Sequence, residues 1–292
     1  MLKKTALLFV LFFFLGAELA YALDWKRLHE KADTIGLPKA LADVSSRPNS
    51  ADTLYILGLV YLNQHRDKEA TEAFDKILTL DPKVSEATWG LAEVLRRQHK
   101  IQKSEELLGK VLKATPDFPP AYITLAYISY TREDFNKAVR LAIKVLAQGE
   151  SVDISNHVRA HLIYGGTKGM IAHYGGPLSK VINGSAILPS LKAAERLQPR
   201  SAGVKFGLGS FYLLAPSLAG GDLEKAEKYL KEALEIDPLF IDAFVRLGQF
   251  YKIKGDSAKY NEYLNKALEL DPENDLAIDV KNGRCKFICP SL

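Results

Sequence analysis

ADTLYILGLVYLNQHRDKEATEAFDKILTLDPKV, residues 51–84, decides the fold. Leu54, Leu57, Gly58 and Tyr61 stand at i, i+3, i+4 and i+7, which puts them on one stripe of a helix. Ala70, Phe74 and Ile77 form a similar stripe on a second helix, and Pro82 stops it. A helical hairpin this short cannot bury its own apolar face, so it needs a like neighbour on each side.

The neighbours are present in the sequence. Residues 85–118 repeat the pattern with Leu91, Ala92 and Leu95, then Ser104, Leu108, Val111 and Pro116; residues 119–152 repeat it with Tyr122, Leu125 and Ala126, then Ala138 and Val145. Regularity breaks over 153–200, where two glycine pairs and Gly169 interrupt the helical stripes. It returns with Leu208, Gly209, Tyr212, Ala226, Leu230, Ala233 and Pro238, and again with Leu247, Gly248, Tyr251, Leu264, Ala267 and Pro272. From Tyr212 to Ala226 the chain is five residues longer than from Tyr61 to Ala70, an insertion that falls within Ala215–Asp222.

This pattern resembles the tetratricopeptide repeat, with its W-x2-L-G-x2-Y, A-x3-F and P positions at a period of about 34 residues. The resemblance implies an all-α, right-handed solenoid of helical hairpins with one irregular, enlarged central repeat. The expected organisation is a signal peptide over 1–22, a partial first repeat or cap over 23–50, three repeats over 51–152, the irregular helical repeat over 153–200, two repeats over 201–272 and a tail over 273–292.

The N-terminal expectation rests on a basic Met1-Leu2-Lys3-Lys4, an apolar run from Ala6 to Ala17, and Ala20-Tyr21-Ala22 as an A-x-A site. The run is shorter than the ~20 residues that span a bilayer, so cleavage near Ala22 and a periplasmic or secreted mature chain are expected. Loss of Lys3, Lys4 and Glu18 would take the formal charge from +4 to +3, a mild excess that offers no argument for nucleic acid.

In the repeat family, positions one, five and eight places after the Trp/Leu position face the concave wall. The resemblance places there Tyr55, Leu59 and Leu62; Trp89, Glu93 and Arg96; and Ile123, Tyr127 and Tyr130, with Arg97 beside them for a carboxylate. These are the expected partner-binding residues, for a protein or peptide segment in extended or helical form. The other reading is that the N-terminal cap or residues 153–200 fold back and cover this wall. The family members that clamp a chaperone's C-terminal carboxylate use lysine and asparagine where Tyr55, Ile56 and Leu59 stand, so that activity is not carried over.

Other chemistry has little in its favour. His157 and His161 share a helical face, with His173 downstream, but no carboxylate completes a ligand set, and no metal or other cofactor is expected. Gly165-Gly166-Thr167-Lys168-Gly169 and Gly207-Leu208-Gly209 lack phosphate-loop and dinucleotide order and read as turns or close helix contacts. No catalytic motif appears, and an enzyme is not expected. Cys285 and Cys289 favour a disulfide around Lys286-Phe287-Ile288, with free thiols or a bond to another chain as alternatives. The Leu-Ala-Pro and Gly-Gly-Asp insertion is similar to that of periplasmic repeat proteins associated with substrate-binding-protein transporters; this implies, as a second reading, a carrier of a small apolar ligand. Such a protein would be peripheral to the membrane at most.

Overall fold

The computed structural model describes residues 23–290, and all regular structure among them is helical. Expectations for the first 22 residues therefore lie outside the described part. A short pair, α1 (Trp25–Ala32) and α2 (Leu37–Ser46), precedes three hairpins: α3 (Ala51–Asn63) with α4 (Asp67–Leu80), α5 (Ser85–Arg97) with α6 (Ile101–Ala114), and α7 (Pro119–Thr131) with α8 (Phe135–Leu146). Next come a long α9 (Ile154–Tyr174), a short α10 (Pro177–Gly184) and α11 (Ile187–Leu197). Two further hairpins, α12 (Ala202–Leu214) with α13 (Leu223–Ile236) and α14 (Ile241–Ile253) with α15 (Ser257–Leu270), lead to α16 (Asp275–Lys281).

The helices start where polar side chains can meet their orphan N–H groups. Ser50, Asp134, Asp153, Asp222, Asp256 and Asn274 each accept from a backbone N–H in the first turn of the helix they precede. The first helix of each regular hairpin ends in a common device. Arg66 N donates to Tyr61 O, Lys100 N to Leu95 O, Asp134 N to Ser129 O and Asp256 N to Tyr251 O. The residue before each donor is left-handed: His65, His99, Glu133 and Gly255, with φ of 58°, 56°, 65° and 76°. Three of these four positions hold side chains where glycine would be free of strain, which calls for a compensating contact.

The contact is with the far end of the chain. His65 reaches Asp237 and His99 reaches Asp271, while Glu133 pairs with Lys286 at 3.2 Å. The solenoid therefore winds until its last two hairpins and its tail meet the turns of its first three.

Between hairpins the packing follows the repeat. Phe74 is fully buried between Gly58 of its own hairpin and Gly90 of the next; a Cβ on either glycine would lie within 2.6 Å of the ring. In α12, Gly209 gives Leu230 the same room. The central segment differs from the sequence reading in one respect. Gly165, Gly166 and Gly169 do not end the helix but lie inside the 21-residue α9. Gly165 faces α11, where a Cβ would lie 3.4 Å from Ile187 O, so tertiary packing outweighs the weak helix propensity of glycine.

Candidate functional site: the inner wall of the solenoid

Most of the expected recognition residues are covered. Tyr55, Leu59, Leu62, Trp89 and Ile123 are buried and cannot meet a partner as the structure stands. Ile123 packs with Ala160 of α9, and the cover over the aromatic residues comes from α1. Its Trp25 packs edge-on against Phe118 at 5.5 Å, and its His29 ring lies 5.3 Å from Trp89. His29 Nε2 and the Tyr55 hydroxyl are 2.9 Å apart, and Asn156 Nδ2 donates to His29 Nδ1 at 3.1 Å. Trp89 Nε1 donates to Thr124 Oγ1 at 3.0 Å. The aromatic stripe is thus the core beneath a helix folded back across the wall. Exposed apolar stripes are seldom left bare, and here the chain supplies its own occupant.

A second cover sits at the other end. Cys285 and Cys289 are joined in a disulfide, and the loop they close inserts Phe287, which stacks on Tyr130 at 5.9 Å. Asp279 accepts from the N–H groups of Lys286 and Phe287, each at 2.9 Å. Arg246, buried on α14, donates to the carbonyls of Phe287 and Ile288. Tyr130 is therefore half-buried against the protein's own tail.

Between the two covers, a polar strip remains. Tyr127 is 38% exposed, with the Arg96 guanidinium 4.3 Å from its ring centroid. Arg96 forms a two-pronged pair with Glu93, whose Oε2 also accepts from Thr124 Oγ1 at 3.0 Å. Burial opposes the charge on Glu93, but the Arg96 charge and hydrogen bond outweigh it and hold the carboxyl at about 2. Arg97 is spent on Leu62 O at 2.7 Å and on Asp67 at 3.2 Å, so it is not free for a partner's carboxylate. The available guanidinium is one that the repeat pattern does not mark: Arg159 of α9 is exposed and forms no ion pair among the described residues. With His29, Asp33, Asn63, Glu93, Arg97 and Asn156 it borders an inner cavity of about 40 Å³. Burial pushes Asp33 up despite its bond from Ser155.

The structure follows the second reading of the sequence, in which the N-terminal cap and the segment after residue 153 cover the wall; the individual residues that do so, His29, Asn156 and Arg159, were not singled out. One trace was available: Trp25 and His29 are four apart, which gives α1 an aromatic face that a solvent-exposed cap would not need. His157 and His161 stack at 5.4 Å, and His161 Nδ1 lies 3.2 Å from Ser190 Oγ. Among the described residues no group of three His, Cys, Asp or Glu is placed to hold a metal.

Comparison with known proteins agrees with the fold. Residues 61–126 match one tetratricopeptide repeat model, and residues 218–238 and 241–274 match another. No curated protein matches the sequence. A chain of the APC/C hetero-tetramer Cut9-Hcn1 superposes with a TM-score of 0.58 at 16% identity, over 87% of this chain and 47% of that one. The chain thus spans about half the length of that relative. A tetratricopeptide repeat protein from Parabacteroides merdae ATCC 43184 gives 0.52 at 13% identity, over 88% and 97%. A monomeric mutant of IFIT1, solved with Gppp-AAAA, gives 0.57 at 17% identity, over 86% and 59%.

Proposed function

We propose, from a solenoid whose matched segments are tetratricopeptide repeats, that this protein is a non-enzymatic interaction scaffold of the cell envelope. It recognises a segment of a partner protein along the strip of inner wall that α1 and the disulfide loop leave uncovered. Stacked hairpins offer a long curved surface, which suits binding. The observation that carries the reading is the Tyr127 ring, 38% exposed over the Arg96 guanidinium while Tyr55 and Trp89 on the preceding first helices are buried. An aromatic over a cation, with the exposed Arg159 nearby, suits a partner that brings an apolar side chain and a carboxylate.

Export is supported by two features. The N-terminal residues have the order of a signal peptide, and the only two cysteines are joined, as suits an oxidising compartment. Sequencing the N-terminus of the envelope-fraction protein tests this; a chain that keeps Met1 and stays with the cytosol would sink it.

For the binding surface, a photo-crosslinking residue at Tyr127 should capture one protein in the native envelope, and Arg159→Ala should reduce the yield. An equal yield from a crosslinker at the outward-facing Lys110 would mean that the strip is not the site. At the inner wall the carrier reading has less support. The inner cavity, at about 40 Å³, is far below the several hundred Å³ usual for small-molecule sites, and its lining is largely polar.

A further inference from the structure

Helix α10 is built inside out. Its uncharged polar side chains face the protein: Ser179 Oγ donates to Ile171 O at 3.1 Å, Asn183 Nδ2 donates to Ser179 Oγ at 3.0 Å, and Lys168 Nζ donates to Asn183 Oδ1 at 2.9 Å. Its apolar side chains face outward. Leu178, Val181 and Ile182, at i, i+3 and i+4, are 73%, 70% and 59% exposed. A helix on the surface of a globular protein normally shows the reverse. The arrangement is firmly placed: Pro177 starts the helix, and Gly175 lets it fold against α9, where a Cβ would lie 2.2 Å from Ser179 Oγ.

The position in the repeat sharpens this. In the regular hairpins three residues separate the two helices, as in Gln64-His65-Arg66. The unit of α9 and α11 places α10 in that turn, and the next unit places residues 215–222 there, with Leu218 fully exposed at their tip. Two consecutive turns thus carry insertions, and both put aliphatic side chains into solvent on the same edge. The charge around them is one-sided. The cations on and beside α10 are Lys180 and Lys168, the latter bonded to Asn183, and no carboxylate lies in the sequence from 154 to 194; Arg159 belongs to the inner cavity and Lys192 pairs with Glu195. Lys180 has no ion-pair partner among the described residues.

We propose that α10, with Leu218 beside it, docks this edge of the solenoid onto the surface of a bilayer containing anionic phospholipid. A short amphipathic helix lying in the interface, aliphatic side chains downward and lysines at headgroup level, matches what is outward here. A polar partner such as RNA would leave the four aliphatic tips unsatisfied. The proposal does not depend on the inner-wall reading, since the inner strip and this edge share no residue.

The test is flotation of the full chain with vesicles of phosphatidylglycerol and phosphatidylethanolamine, and with vesicles of phosphatidylcholine alone. The parent chain should float with the anionic vesicles, and Leu178→Asp with Ile182→Asp should lower partition by roughly tenfold or more while the circular dichroism stays unchanged. Residues 1–22 are common to both chains, so the difference reports α10. As an independent reading, the indole introduced by Leu178→Trp should be quenched by brominated phosphatidylglycerol, after subtraction of the parent's Trp25 and Trp89. Equal partition of the two chains, or an unquenched indole, overturns the proposal. So does a change in oligomeric state of the aspartate variant without vesicles, which would assign α10 to a contact between copies.

Discussion

His65 and Asp237 are 172 residues apart in the chain and 2.8 Å apart in space, and one repeat further on His99 and Asp271 meet at 2.9 Å across the same sequence separation. The superhelix thus closes through equivalent contacts about five repeats apart. Burial pushes Asp237 upward, but the hydrogen bond and charge of His65 outweigh it and hold the carboxyl below its ordinary value. That contribution is present above the unfolded carboxylate value and is lost as pH falls through the folded one. Each pair is partly exposed and contributes about 1 kcal/mol or less, so Asp237→Asn with Asp271→Asn should alter shape more than stability. Small-angle scattering should show a larger radius of gyration for the double variant; an unchanged radius would mean that the closure does not depend on these pairs.

His29 makes the cover formed by α1 sensitive to acid. Its ring is buried; burial is the largest influence and Arg159 adds to it, Asp153 opposes, and the imidazole is held at about 4 against an ordinary 6.5. The unfolded chain therefore takes up a proton near pH 6.5 while the folded chain does not until about 4. Stability is full above pH 6.5 and falls as pH drops through this window, by about 1.4 kcal/mol per unit and on the order of 3 kcal/mol in all. In urea titrations the loss between pH 7 and 5 should shrink by about 2 kcal/mol in His29→Gln. An identical pH profile for the variant would show that His29 is already solvated in the folded chain.

The hairpins were legible because their cause is local. Leu54, Gly58, Phe74 and Pro82 announce two helices and a stop within one period. The inner stripe of Tyr55, Trp89 and Tyr127 was legible as a stripe for the same reason. Whether the wall stays open or is covered was not, since the answer is carried by His29, 26 residues before Tyr55, and by Asn156, 127 residues after His29. Spacing within a helix fixes which way a side chain faces and says nothing of what arrives from elsewhere in the chain. The glycines of α9 show the converse limit: Gly165 and Gly169 weaken a helix locally, yet close packing on α11 holds them in one.

Gly58 and Phe74 are coupled tightly enough to be separated by a mutant cycle. A Cβ on Gly58 would fall 2.5 Å from Phe74 Cε1, and the ring cannot retreat because Gly90 faces its other side at 2.6 Å. Gly58→Ala should therefore cost about 1–3 kcal/mol despite the better helix propensity of alanine. Phe74→Ala should cost about 3–5 kcal/mol through the cavity it leaves. In the Phe74→Ala background the Cβ has room, so Gly58→Ala should become neutral or stabilising. Additive losses in the double variant would mean that the ring does not impose the glycine.

Glu86 offers a stability test of processing at Ala22. The residue is buried, and burial pushes its carboxyl up while its own backbone N–H and that of Leu23 pull it down. Leu23 itself is buried at 3% exposure. If the chain is cut before Leu23, the group beside Glu86 becomes an α-ammonium, and a hydrogen bond from an uncharged N–H becomes a buried ion pair. Removing one partner of such a pair is costly, so Glu86→Gln should destabilise the cut chain by roughly 3 kcal/mol. In the chain that retains residues 1–22 the amide oxygen can still accept from the Leu23 N–H, and the same substitution should cost about 1 kcal/mol or less. Urea unfolding of both chains, each with and without the substitution, gives the four values. An equal loss in the two backgrounds would show that the new terminus does not pair with Glu86.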